Sequence, residues 1–448
     1  MSYPFEPVTI VNIPAGIFLV SASMPIPSNT IFQGAGRGVT ILRAAPGLGG
    51  GIFSQVVPSG QSLVNVMWRD LTLDGNTGPT GSNVGILINT NASNSIPYYN
   101  MTAQNVDFIN CLFGWQHSAN NGSGTALFNE TLCLSCRFYN NGVGAILRGV
   151  YASTFSECLF AGNTVNHIGT SGYNGTPVIT GTDPATSIAV RNCHFEGLGN
   201  QTGGGSATDS GVSLNCTQYA ITACYFSNIS LYPVFCQDNE GLGSVIDGLR
   251  IWGCGGPALI LDQPNAVTGF TAVSNIACSQ VSQNAGLNAS FGQKGVISVV
   301  GGQASITNVT VAAFGTAPPY ALNLGANGAG KVGVVDVSQF HCPSPSVSWL
   351  LVNNAQASMV LKIRNSTGFN PAGSQVIAVP ATTVATAALT FDATFYVTAA
   401  AGGGVTLAIQ GGPTVTVPAS AVVPVFVPAG KTLTPTYTSA PTWVVEGN

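Results

Sequence analysis

Charge is what this sequence has least of. Only 6% of its 448 residues are Asp, Glu, Lys or Arg, against about a quarter in an ordinary soluble domain. A net charge of −4 provides no basic field, which argues against nucleic acid as a partner. Scarce charge would suit a membrane protein, yet no run of about 18 uninterrupted apolar residues is present, so membrane insertion is not expected. The opening Met1-Ser2-Tyr3-Pro4-Phe5-Glu6-Pro7 lacks the basic segment and long apolar core of a signal peptide. Synthesis and folding in a cytoplasm are therefore expected, with any external role reached by assembly. Metal-binding patterns are missing as well. Cys133-x-x-Cys136 has no second Cys-x-x-Cys at zinc spacing, and no Asp cluster suggests calcium, so neither metal nor cofactor is expected.

What the chain does have is a small pattern that returns every 22 to 35 residues: an apolar or Cys residue, a variable one, then Phe, Leu or Ile. It reads Leu71-Thr72-Leu73, Val106-Asp107-Phe108, Cys136-Arg137-Phe138, Cys158-Leu159-Phe160, Cys193-His194-Phe195, Cys224-Tyr225-Phe226 and Leu249-Arg250-Ile251. A fixed core signature with elastic spacing is what a parallel β-solenoid produces, because each coil returns to one register while its loops vary in length. Side chains alternate along a strand, so the apolar first and third positions point inward and the middle position outward. Coils about 4.8 Å apart would stack Cys136, Cys158, Cys193 and Cys224 in one interior ladder beside a Phe ladder. Each fully buried Phe contributes roughly 1.5–3 kcal/mol. The Asn or Gly two positions after most triplets suits a tight bend. Eleven cysteines is an odd number; buried free thiols acting as small hydrophobes are the expectation, with disulfides between adjacent coils as the alternative.

Three parts are expected: residues 1–60 as a cap and entry coils, 61–370 as the solenoid, and 371–448 as a small antiparallel β-sandwich for oligomerisation or a tip. The last part runs as short Val, Ala and Thr strands such as Thr414-Val415-Thr416-Val417, separated by Gly and Pro. Before Glu446 its only charges are Asp392 and Lys431, and so bare a surface suggests neighbours.

Ile13-Pro14-Ala15-Gly16-Ile17-Phe18-Leu19-Val20, then Ile26-Pro27-Ser28-Asn29-Thr30 and Gln33-Gly34-Ala35-Gly36-Arg37-Gly38-Val39-Thr40-Ile41-Leu42, resembles the opening coils of the pectate-lyase-like right-handed parallel β-helix superfamily, bacteriophage tailspikes and tail fibres included. The resemblance covers about residues 8 to 365. It implies an all-β fold, a right-handed parallel β-helix, and leaves activity open, because lyases, hydrolases, isomerases and inert spikes share it. The helix-bearing segment that usually precedes the first coil is missing. Pro428-Ala429-Gly430-Lys431-Thr432-Leu433 through Ser439-Ala440-Pro441-Thr442-Trp443 looks like the ends of phage tail and fibre proteins. These likenesses imply a homotrimeric virion subunit that is assembled in the host cytoplasm, acts outside the cell, touches other tail or baseplate proteins and binds host surface polysaccharide.

On the outer face the middle column reads Thr72, Asp107, Arg137, Leu159, His194, Tyr225, Arg250, and the column two residues later reads Asp74, Ile109, Tyr139, Ala161, Glu196, Ser227, Trp252. Arg137, His194, Tyr225, Arg250 and Trp252 are the candidate substrate-binding residues. Aromatic rings stack on sugar C–H faces, while Arg and Glu bind hydroxyls or acidic groups. A subunit contact uses the same residue types. Glycoside hydrolysis usually needs two carboxylates, for which Glu196 with Asp209 or Asp238 is the candidate set; a lyase would draw on His194 with Arg137 or Arg250. Three classes remain open: a glycan-binding spike, a polysaccharide depolymerase on the same scaffold, and a purely structural virion or filament protein.

Overall fold

The structure is a computed structural model that describes residues 8–57, 62–90, 99–119, 128–147, 149–170, 186–198, 209–237, 243–262, 270–281, 295–312, 320–324, 332–342, 348–352, 360–364, 366, 377–389, 393–428 and 430–447. Among these residues every regular element is a strand, and no helix is long and apolar enough to cross a membrane. Two parallel sheets, of 21 and 11 strands, run the length of a right-handed β-helix.

The larger sheet is creased lengthwise. Val64–Asp74 and Tyr99–Ile109 pass through the crease as single bent strands, whereas Thr131–Leu134 and Arg137–Tyr139 are separated by it. The crease is made by one left-handed residue immediately before each triplet: Asp70, Asn105, Ser135, Glu157, Asn192, Ala223, Gly248, Asn275, Asn308 and Gln339 all have φ between 52° and 67°. A second bend follows the triplet at Asn110, Asn140, Gly162, Asn228 and Gly253, again left-handed, at the positions where the Asn/Gly pattern predicts turns. Neighbouring coils tie these bends together through amide ladders. Asn140 Nδ2 donates to Asn110 Oδ1 at 2.7 Å, and Asn308 Nδ2 to Asn275 Oδ1 at 2.7 Å.

Inside, the Phe ladder is a continuous ring stack. Phe108, Phe138, Phe160, Phe195 and Phe226 lie 4.6, 4.6, 4.9 and 4.6 Å apart between centroids, with planes within 8° of parallel. The opposite sheet makes room for it with Gly114, Gly144 and Gly211, where an added Cβ would sit 2.9, 2.9 and 2.8 Å from the rings of Phe138, Phe160 and Phe226. One rung breaks this glycine column: His167, in register between Gly144 and Gly211, sets its ring edge-on to Phe195 at 5.9 Å.

All eleven cysteines are free and buried, so the disulfide alternative is not realised. Their placement has a definite cause. The thiol just after each left-handed bend donates to the carbonyl just before it, which also accepts an amide of the neighbouring coil in most rungs. Cys136, Cys158, Cys193 and Cys224 reach Leu134, Ser156, Arg191 and Thr222 O at 3.5, 3.3, 3.2 and 3.2 Å. Around the second bend Cys111 and Cys254 do the same to Ile109 and Trp252 O. Burial pushes the Cys111 and Cys254 thiols up to about 12, so they stay protonated donors.

Beyond the solenoid, two three-stranded antiparallel sheets form a sandwich: Val422–Val427, Ala393–Thr398 and Thr442–Gly447 in one, Thr414–Val417, Val405–Ile409 and Leu433–Tyr437 in the other. Phe395, Val397, Leu407, Val425 and Leu433 fill its interior. The segment 377–389 is fastened to it by Trp443 Nε1 and Tyr437 Oη, which donate to Ile377 O and Pro380 O at 2.7 Å each.

Candidate functional site

The creased sheet fixes which side chains meet outside. Register runs Thr72, Asp107, Arg137, Leu159, His194, Tyr225, Arg250 without a slip, then on to Ala277. Beside it run Asp74, Ile109, Tyr139, Ala161, Glu196, Ser227 and Trp252. Both outward columns therefore stand where the triplets predict them.

Their first two rungs are covered. The turn at residues 34–39 lies over them: Gly38 N donates to Thr72 Oγ1 at 2.9 Å, and Arg37 reaches Ser135 O at 3.0 Å and the Asp107 carboxylate at 3.6 Å. Arg43 Nε donates to Asp74 Oδ2 at 2.8 Å. Thr72, Asp74 and Asp107 are consequently buried although they face outward. Arg137 sits at the margin of this cover and is held by Asp107 in a two-pronged pair, Nε to Oδ1 at 2.9 Å and Nη2 to Oδ2 at 3.0 Å. Leu159 separates it from His194 by one rung on each side, about 10 Å in all.

The next rungs are open. The His194 and Tyr225 rings lie 4.8 Å apart at 59°. Tyr225 is 37% and Trp252 42% exposed, and Arg250 and Glu196 also reach solvent. Trp252 and Arg250 project from one strand two residues apart, on the same face. Four predicted residues, His194, Tyr225, Arg250 and Trp252, thus share a rigid wall three rungs tall, with Glu196 at its side. Leu159 provides an apolar floor before it.

The carboxylates are arranged otherwise. Asp209 is fully buried: its Oδ1 accepts hydrogen bonds from the Ser230 hydroxyl and, at 3.3 Å, the Ser230 amide, while Oδ2 lies 3.8 Å from His167 Nε2. It packs against Gly197, where a side chain would collide with it, and so points into the coil rather than out beside Glu196. Asp238 lies outside the described residues. Among the described residues no group of three or more His, Cys, Asp or Glu is placed to hold a metal ion. Two features were not readable beforehand. The cover over Asp107 comes from a segment about 70 residues earlier, and Asp209, which links Ser230 and His167, follows a Gly-rich insertion without periodicity.

No family model matches the chain, and no curated protein matches it in sequence. Solved structures do. The chain is similar to the A-module of the Azotobacter vinelandii mannuronan C-5 epimerase AlgE4, at 13% identity and a TM-score of 0.43, over 79% of this chain and 91% of that one. It is similar to a protein of Geobacillus virus E2 at 13% identity and a TM-score of 0.45, over 97% and 67%. It is also similar to the tailspike of Acinetobacter baumannii bacteriophage Fri1, a capsular polysaccharide depolymerase, at 12% identity and a TM-score of 0.41, over 98% and 78%.

Proposed function

We propose that this protein is a bacteriophage tail spike or fibre subunit that binds host-surface glycan, as a homotrimer, through the wall formed by His194, Tyr225, Arg250 and Trp252. The observation that carries this reading is the wall itself: two exposed aromatic rings and a guanidinium in fixed register on an otherwise almost uncharged, rigid sheet. Sugars are held by such a mixture of stacking surface and hydrogen-bond donors, and a rigid wall loses little conformational freedom on binding. The viral assignment is supported by the likeness of residues 428–443 to the ends of phage tail and fibre proteins, while residues 13–42 resemble a β-helix superfamily that includes tailspikes. Hydrolysis usually takes two carboxylates, and Asp209, one candidate partner of Glu196, is buried and bonded to Ser230 instead of facing the wall, which favours binding. The test is a glycan array read beside adsorption to host cells. Tyr225→Ala combined with Trp252→Ala lowers binding by at least about tenfold, each lost stacking ring contributing about 1 kcal/mol or more, with an unchanged melting curve. Undiminished binding by that double variant removes the site.

A further inference from the structure

Two strands of the creased sheet carry the same outward pair. Arg137–Tyr139 and Arg250–Trp252 each present a guanidinium and, two residues on, a large aromatic ring, with the buried Phe138 or Ile251 turned inward between them. Both pairs stand in the same two columns. Register passes from Arg137 through Leu159, His194 and Tyr225 to Arg250, and from Tyr139 through Ala161, Glu196 and Ser227 to Trp252. The pairs are therefore four rungs apart, about 19 Å. Tyr139 is more open than Tyr225 or Trp252, at 57%. Its ring lies against the next rung, where a Cβ on Gly162 would stand 4.0 Å from it.

The charges along this strip have an order. At one end Arg37 and Arg137 share the single carboxylate of Asp107, at 3.6 and 2.9 Å, which leaves one positive charge unbalanced. At the other end Arg250 is exposed and, among the described residues, makes no ion pair. Midway, two rungs from each pair, stands the exposed carboxylate of Glu196. Glu157, Arg191 and Asp247 lie at or before the crease. Both of those carboxylates are engaged there, Glu157 by Ser135 Oγ at 3.1 Å and Asp247 by Ser274 Oγ and Asn275 Nδ2 at 2.6 and 2.7 Å.

We infer that Arg137 and Tyr139 form a second subsite of the wall, and that the glycan reaching from it to Arg250 and Trp252 is an acidic heteropolysaccharide with neutral sugars opposite Glu196. This deepens the glycan-binding reading above and rests on it. At each end the ring stacks on a sugar face while the guanidinium beside it takes a carboxylate. A polymer with an acid on every unit would set one against Glu196, where like charges repel. A chain long enough to occupy one subsite reaches the other as an intramolecular step, so length adds affinity.

The experiment titrates the full chain and its variants against an array of bacterial surface polysaccharides, the host's own included, with polygalacturonate as the polymer that is acidic on every unit. The strongest binder is tested again after carboxyl reduction and as fragments too short to span four rungs. The parent prefers a polysaccharide with acids on some of its units, and reduction or fragmentation each weakens binding at least about tenfold. Arg250→Gln weakens the long chain at least about tenfold. Tyr139→Ala brings the long chain to within about threefold of its fragments, and Glu196→Gln raises binding of polygalacturonate at least about fivefold. Each variant melts as the parent does. A neutral polysaccharide or polygalacturonate as the strongest binder, a length advantage that survives Tyr139→Ala, or polygalacturonate binding indifferent to Glu196→Gln would each overturn the proposal. Failure to bind any polysaccharide, the host's own included, overturns the functional reading itself.

Discussion

A cysteine in this fold is a small hydrophobe that also donates to a carbonyl. The carbonyl before most bends already accepts an amide of the neighbouring coil, Arg191 O from Glu157 N at 3.1 Å, and the thiol adds a second, weaker donor. Cys193→Val preserves volume and removes only the thiol's bond to Arg191 O at 3.2 Å. It lowers stability by at most about 1 kcal/mol in denaturant unfolding; a loss of about 2 kcal/mol or more would mean that the carbonyl depends on the thiol. A second residue sets a pH dependence. His117, buried beside Trp115 with ring centroids 5.5 Å apart, has its pKa lowered by burial to about 3. The unfolded chain takes up a proton near pH 6.5 that the folded one refuses, so stability is full above that value and falls as pH drops from about 6.5 toward 3. Between pH 7 and pH 5 the loss from this residue is about 2 kcal/mol. His117→Leu flattens that slope in urea titrations at the two pH values, and an unaltered slope assigns the acid sensitivity elsewhere.

At the scale of strands and bends, the opposition of a ring stack and a glycine column decides what each rung tolerates. Gly114→Ala would place a methyl 2.6 Å from Gly144 O and 2.9 Å from the Phe138 ring. Overpacking of this kind costs about 1–3 kcal/mol, read as a lowered denaturant midpoint; wild-type stability in this variant would show that the two sheets can part. The triplets were legible from the sequence because inward Phe and Cys repeat as residue types, and with them came the outer columns from His194 to Trp252. The bend before each triplet was not legible. Its occupants include Ser135, Glu157, Ala223 and Gln339, which the coil forces left-handed without help from their own preference. The inward turn of Asp209 was hidden for a related reason: its direction is set by Gly197 and Ser230 of neighbouring coils, not by its own segment.

For the whole molecule, scarcity of charge is the ruling fact. The sandwich shows Val422, Phe426, Tyr396 and Val444 exposed on one sheet face, brought side by side by the pairings Tyr396 with Pro424 and Val444, and Thr394 with Phe426. Such a face fits contact with its own kind, as charge repulsion is absent. If the proposed trimer forms through this sandwich, removal of residues 371–448 leaves monomers or aggregates in light scattering, with the solenoid's circular dichroism retained; a trimeric truncated chain would move assembly to the β-helix. The five stacked phenyl rings carry a further consequence. Spaced 4.6 to 4.9 Å apart with nearly parallel planes, they act as a ruler inside the coil whose last two marks, Phe195 and Phe226, stand behind the His194 and Tyr225 rungs of the wall. The wall therefore keeps a fixed pitch, and the glycan proposed for it would engage several units only if its own repeat is commensurate with that pitch.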